Sequence, residues 1–199
     1  MYTKSDTHKM TWDEFDGLIE VLIGKVEDYF VDTPKGIDVV SQLHRTGGIV
    51  GSIMAIKMGI VPLLPLQFKY SYAPTRIDQI ISVPDILVPI RDNMNVLLCE
   101  GNTSSGSVAI RAAKVIHDAY PSAKIYLATV VKVFGCSDTL EGIEHVFYGV
   151  MSDEKFKATE VIKKELNLRE GITIFPWERE DDELADIHAA DETSKSEHK

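Results

Sequence analysis

The sequence has few of the residues that mark several familiar classes of protein. Two cysteines in 199 residues are too few for a disulfide framework, and Cys99 lies in an apolar run that indicates a buried strand. No apolar run reaches the roughly 18 residues that a transmembrane helix needs, and the polar start of the chain does not resemble a signal peptide. These absences favour a reduced, cytoplasmic protein with no membrane partner.

Acidic residues outnumber basic ones by 31 to 21, so the net charge is −10. Nine acidic and three basic residues fall between residues 178 and 199, so this segment alone accounts for a net charge of −6. We therefore predict a disordered leader over residues 1–10, a folded domain over residues 11–178 and an acidic disordered tail over residues 179–199. The lack of a basic stripe argues against a nucleic-acid partner.

Common nucleotide-binding and metal-binding motifs are absent too. Gly101 and Gly106 have the spacing of a P-loop, but Ser107 stands where that motif requires a lysine to contact the γ-phosphate. The dinucleotide-binding glycine fingerprint is missing, and the six histidines show no spacing typical of metal ligands. The sequence therefore excludes the usual nucleoside triphosphatase, dinucleotide-binding and zinc-binding patterns.

What the sequence does contain is an alternation of strand and helix patterns. Thr11 and Glu14 form a capping box at the start of an amphipathic helix that runs to about residue 30. Further helices are predicted at residues 49–58, 107–120 and 153–166, and strands at residues 37–43, 61–70, 96–99, 125–133, 146–150 and 171–175. This alternation indicates an α/β fold with a doubly wound, mainly parallel sheet.

Two polar loops follow predicted strands. Glu100 ends one apolar run, and a loop of small residues then leads to a helix that begins at Ser107. Free N–H groups and the helix dipole make such a position a good anion site, so we expect a phosphate here. The loop at residues 45–48 follows another strand, and ligands of parallel sheets bind at the carboxyl ends of strands.

These segments resemble those of the type I phosphoribosyltransferases, closest to the hypoxanthine/guanine/xanthine branch. Residues 95–106 resemble the family's motif for phosphoribosyl pyrophosphate (PRPP), and residues 45–48 with the following helix resemble its pyrophosphate loop. Residues 174–178, Ile-Phe-Pro-Trp-Glu, resemble the ending of several xanthine/guanine-type members. The resemblance implies the phosphoribosyltransferase fold, a small C-terminal hood formed mainly by residues 134–178, and a mobile flap at residues 71–92.

The resemblance also implies an enzyme of purine salvage. It would transfer the phosphoribosyl group from PRPP to a 6-oxopurine base with the help of Mg²⁺, as a homodimer or homotetramer. Glu100 and Ser104 would occupy the catalytic positions, with no residue assigned as a direct metal ligand. The implied binding residues are Asn102, Thr103, Ser104, Ser105, Gly106 and Ser107 for the 5-phosphate, Arg45, Thr46, Gly47 and Gly48 for pyrophosphate, and Lys132, Ile172 and Thr173 for the base.

Three positions depart from the family pattern. Gly101 replaces a second acid, and Ser104 replaces an aspartate placed to accept the purine proton. Ile172 or Thr173 falls where relatives carry an aromatic residue that stacks on the base. These differences keep two alternatives open: a regulatory module that binds PRPP or a nucleotide, and a transferase for a different base.

Overall fold

A computed structural model describes residues 2–33, 35–60, 62–72, 75–86 and 93–196, without the side chains of residues 72, 75 and 189–196. The helices are α1 (Trp12–Phe30), α2 (Thr46–Met58), α3 (Ser107–Ala119), α4 (Glu160–Glu165) and α5 (Glu180–Ser196). The strands are β1 (Thr7–Lys9), β2 (Val39–His44), β3 (Leu63–Tyr72), β4 (Thr75–Ile81), β5 (Asn95–Thr103), β6 (Lys124–Val133), β7 (His145–Asp153), β8 (Arg169–Glu170) and β9 (Ile172–Ile174).

Seven strands form the main sheet in the order β4-β3-β2-β5-β6-β7-β8. Every neighbouring pair is parallel except β3 and β4, which form an antiparallel hairpin. The chain passes from β2 to β3 on one side, and β5 later pairs with the other side of β2. The predicted α/β fold with a doubly wound, mainly parallel sheet is confirmed.

The helices cover both faces of the main sheet. On one face Phe15 and Val26 of α1 share a core cluster with Met54 of α2. On the other face Ile116 of α3 packs in a second cluster with Leu98 of β5. These two cores hold the carboxyl ends of β2 and β5 in place.

Local capping chemistry sets two helix ends where the sequence predicts them. The Glu14 N–H donates to Thr11 Oγ1 at 3.2 Å, which completes the capping box of α1. Gly59 ends α2 in the left-handed conformation, with φ of 68°. In the part of the chain that the structure describes, no helix is both long and apolar enough to cross a membrane.

The two ends of the chain differ from the prediction of disorder. Residues 7–9 form β1, which pairs in parallel with β9, and residues 180–196 form α5. Leu184 of α5 is buried beside Ile172 and Ile174, and Glu180 pairs with Lys9. Long-range apolar contacts and ion pairs thus join these segments to β9, and the hood formed mainly by residues 134–178 stays a prediction.

Several boundaries inside the domain also differ. Strand β5 continues through Thr103, and β7 spans His145–Asp153 where only residues 146–150 were expected. Helix α4 covers six residues, not the predicted 153–166, because Asp153 ends β7 and its carboxylate accepts from the N–H groups of Lys157 and Ala158 in a turn before the helix. The predicted flap at residues 71–92 includes the β3–β4 hairpin, and its residues 73–74 and 87–92 lie outside the described residues.

Candidate active site

The two loops singled out in the sequence meet where the strand order reverses. Strands β2 and β5 are parallel neighbours, so their carboxyl ends lie at the same edge of the sheet. A Cβ atom on Gly47, in the first turn of α2, would lie 2.1 Å from the carbonyl oxygen of Cys99 in β5. Helix α2 therefore begins directly against the strand that carries Glu100, at the position where open α/β sheets bind ligands.

Gly101 lies at the junction of all three sequence motifs. A Cβ atom there would lie 2.1 Å from Thr46 Cγ2 and 3.3 Å from Phe175 Cε2. Thr46 Oγ1 donates to Glu178 Oε1 at 3.0 Å, and the Phe175 N–H donates to Glu178 Oε2 at 3.0 Å. The space that a side chain at position 101 would enter is therefore filled by Thr46 and Phe175.

Glu100 is partly buried near the end of β5. The Thr103 hydroxyl donates to its Oε2 atom at 2.6 Å. Burial raises the pKa of Glu100 to about 7, and the hydrogen bond from Thr103 only partly opposes this rise. A cation or a hydroxyl donor beside this carboxylate would stabilise its ionised form.

The loop expected to hold a phosphate is short. Asn102 and Thr103 belong to the ladder between β5 and β6, which leaves residues 104–106 as the loop before α3. Gly106 precedes α3 with φ of 75°, a left-handed conformation that residues other than glycine rarely adopt. Ser105 Oγ accepts from the Ser107 N–H at 3.3 Å, and among the described residues no acceptor outside the β-sheet ladders is found for the N–H groups of residues 104–106. N–H groups at the start of a helix can bind an anion.

The loop at residues 45–48 forms the second candidate anion site. Arg45 is exposed immediately before α2, and the peptide bond between His44 and Arg45 is cis. A Cβ atom on Gly48 would lie 2.7 Å from two atoms of the exposed His44 ring, so a side chain at this position would displace that ring. The Gly48 N–H donates to the Arg45 carbonyl oxygen at 3.0 Å, while among the described residues no acceptor is found for the N–H groups of Thr46 and Gly47 at the start of α2.

The three residues expected to contact a base are all buried. Lys132 is 2% exposed, with Nζ paired to the Asp138 carboxylate and 5.4 Å from the centroid of the Tyr148 ring. Ile172 packs beside Leu184 in the hood, and the neighbouring Thr173 lies in the same strand.

Two acidic residues near these loops were missed in the sequence. Glu154 accepts hydrogen bonds from Asn102 Nδ2 and from the Thr173 N–H, and it was assigned to a helix because β7 was predicted too short. On α5, burial and the nearby Glu178 carboxylate raise the pKa of Glu183 to about 7, while Arg45 lowers it. If β7 had been predicted to its full length, Glu154 would have been placed at the carboxyl ends of the strands, next to the candidate site.

Magnesium is compatible with this edge of the sheet. No group of three or more histidine, cysteine, aspartate or glutamate side chains suited to a metal occurs among the described residues. Mg²⁺, however, is commonly held by one or two carboxylates together with substrate phosphates and water. The Glu100 carboxylate, between two candidate phosphate sites, fits that donor set.

No protein-family model matches the chain, and no match is found among curated proteins. Many solved structures are similar to it, and three of them are described below.

A purine phosphoribosyltransferase from Pyrococcus horikoshii has a TM-score of 0.64 at 18% identity, covering 87% of this chain and 95% of that one. The xanthine-guanine-hypoxanthine phosphoribosyltransferase of Helicobacter pylori has a TM-score of 0.58 at 15% identity, covering 90% and 99%. A hypothetical protein from Neisseria gonorrhoeae with bound ppGpp has a TM-score of 0.59 at 16% identity, covering 98% and 97%. The chain therefore has the type I phosphoribosyltransferase fold.

Proposed function

We propose that this protein transfers the phosphoribosyl group of PRPP to a purine base, with a preference for 6-oxopurines, and releases pyrophosphate. The observation that carries the proposal is the contact of Thr46 with both Gly101 and Glu178, which unites three motifs at one edge of the sheet. Helices α2 and α3 both begin at this edge. Two helix N-termini suit a substrate that carries a phosphate at one end and a pyrophosphate at the other.

Each part of the substrate has a proposed set of contacts. The N–H groups at residues 104–107 bind the 5-phosphate, and residues 45–48 bind the pyrophosphate, with Arg45 as a planar cation. The Glu100 carboxylate accepts hydrogen bonds from the ribose hydroxyls. Lys132 donates to the 6-oxo group of the base after leaving Asp138, whose side chain is 88% exposed and is readily hydrated.

The chemistry requires little covalent participation by the protein. The bond between ribose C1 and pyrophosphate breaks, positive charge develops on the sugar, and a purine nitrogen bonds to C1 and releases its proton. Mg²⁺, when bound, neutralises the leaving pyrophosphate. The N–H groups of α2 stabilise the same charge. Because the Ser104 hydroxyl is a weak proton acceptor, we expect turnover to be about 10²–10⁴-fold slower than with a carboxylate there.

The direct test is conversion of radiolabelled purines to nucleotides in the presence of PRPP and Mg²⁺. We expect hypoxanthine, guanine or xanthine to give product faster than adenine, and chelation of Mg²⁺ to stop the reaction. Failure to convert any of the four bases would refute the proposed activity.

A second candidate is a regulatory module that binds PRPP or a nucleotide without turnover. The enclosed position of Gly101, which has no room for a second acid, favours it. So does the Neisseria gonorrhoeae protein of this fold, whose structure contains ppGpp. Calorimetry that detects tight nucleotide binding in a protein with no transferase activity would favour this candidate over the enzyme.

Assembly into a homo-oligomer stays a prediction.

A further inference from the structure

A bridge of hydrogen bonds joins the end of β5 to the hood strand β9. Asn102 Nδ2 lies 2.9 Å from each carboxylate oxygen of Glu154, and the Thr173 N–H donates to Glu154 Oε1 at 3.2 Å. Burial raises the pKa of Glu154, while the hydrogen bonds from Asn102 and from the Thr173 N–H favour its ionised form and oppose that rise. One acidic side chain thus gathers donors from β5 and β9.

This arrangement fixes the side chain of Asn102. The two arms of a carboxamide diverge, so an amide nitrogen held against Glu154 forces the Oδ1 atom to face away from it. Asn102 Oδ1 is buried and finds no hydrogen-bond partner among the described residues. Rotation of the amide would bring Oδ1 against the Glu154 carboxylate, where two acceptors repel each other. The two contacts of Nδ2 with the Glu154 oxygens therefore hold one orientation of the amide.

The bridge also sets the distance between two parts of the site. Asn102 lies two residues after Glu100 and two before the loop at residues 104–106, in the segment proposed to bind the phosphoribosyl group. Thr173 lies in β9, which is proposed to lie beside the base. With the proposed contacts, a nucleoside monophosphate would span both segments, whereas pyrophosphate would bind at the loop at residues 45–48.

We infer that Glu154 is a positioning residue that aligns the phosphoribosyl-binding end of β5 with the base-binding strand β9 through Asn102 and the Thr173 N–H. This inference rests on the proposed function. Glu154 contacts neither substrate. It fixes the relative position of β5 and β9, so that one ligand can bind to both strands.

The test compares two ligands by calorimetry, guanosine 5′-monophosphate and inorganic pyrophosphate, each with Mg²⁺. Glu154→Gln retains one acceptor and adds a donor that opposes Asn102, so we expect about tenfold weaker nucleotide binding. Pyrophosphate binding should stay within about twofold of wild type, since residues 45–48 do not contact Glu154. Glu27→Gln, on the exposed face of α1, serves as the matched control and should change neither affinity.

A double-mutant cycle with Asn102→Ala completes the test. Because both side chains act through one bridge, the double variant should lose less nucleotide affinity than the product of the two single losses. Equal weakening of both ligands, unchanged binding by Glu154→Gln, or additive losses would overturn the inference. If Glu154→Gln does not fold, Asn102→Ala alone should show the same selective loss. A wild-type protein that binds neither ligand would instead refute the proposed function, and with it this inference.

Discussion

Replacing Gly47 with alanine is expected to lower the free energy of unfolding by about 3 kcal/mol and to abolish PRPP binding. The added methyl group would lie 2.1 Å from the Cys99 carbonyl oxygen and 3.2 Å from Glu100 Cα, both of which belong to the backbone of β5. Backbone atoms cannot rotate away as a side chain can, so α2 and β5 must separate. Urea unfolding gives the stability, and calorimetry gives the affinity for PRPP with Mg²⁺.

A second glycine provides the control for this experiment. Gly17 lies in α1 with nothing within 4 Å of its Cβ position, so Gly17→Ala should raise the free energy of unfolding by roughly 0.5–1 kcal/mol. PRPP binding should not change. A Gly47→Ala variant as stable as wild type and still able to bind PRPP would contradict the close contact between α2 and β5.

The pH dependence of the proposed reaction should report the ionisation of Glu100. Its pKa of about 7 means that the carboxylate fraction rises about tenfold between pH 6 and pH 8, and kcat/KM for PRPP should rise with it. Glu100→Gln should lower kcat/KM about 100-fold at pH 8, a typical cost of removing one group that stabilises charge at a reacting centre. The inflection near pH 7 should disappear in this variant.

Glu183 supplies the control, because its pKa is also about 7 and its carboxylate lies near Arg45. Glu183→Gln should keep the inflection if Glu100 causes it. The stability of the fold gives an independent check on the same shift. Between about pH 4.5 and pH 7 the folded state binds a proton at Glu100 that the unfolded state releases, so stability should fall as pH rises. An inflection that survives in Glu100→Gln would contradict the assignment.

Features set by neighbouring residues were predictable from the sequence. The capping box of Thr11 and Glu14 and the end of α2 at Gly59 involve contacts within a few residues, and both are found as expected. The alternation of strands and helices was predictable because it follows from the spacing of apolar residues along the chain. The arrangement of two loops at one edge followed from the rule that parallel strands end together.

Features set by distant pairing were not predictable. The acidic tail has a composition typical of disorder, but Glu180 contacts Thr7 and Lys9, which lie more than 170 positions earlier. The end of β7 carries polar residues that read as the start of a helix, yet it pairs with β6 through Ser152. Tertiary contacts overrode the local pattern in both places.

The candidate site shows the same division. The rule that parallel strands end together predicted that the loop at residues 45–48 and the loop after Glu100 lie at one edge, and the structure brings Thr46 and Gly101 into contact there. The sequence presented Gly101 only as a missing acid, since nothing local indicates that Thr46 and Phe175 enclose that position. The roles proposed for the loop residues in binding PRPP stay predictions.

The most direct test of the central claim is a crystal structure with PRPP and Mg²⁺ bound. We predict the 5-phosphate at residues 104–107, the pyrophosphate at residues 45–48 and the ribose hydroxyls at the Glu100 carboxylate. PRPP bound elsewhere on the protein, or its absence from crystals soaked at saturating concentration, would contradict the assignment of this sheet edge as a phosphoribosyl-binding site.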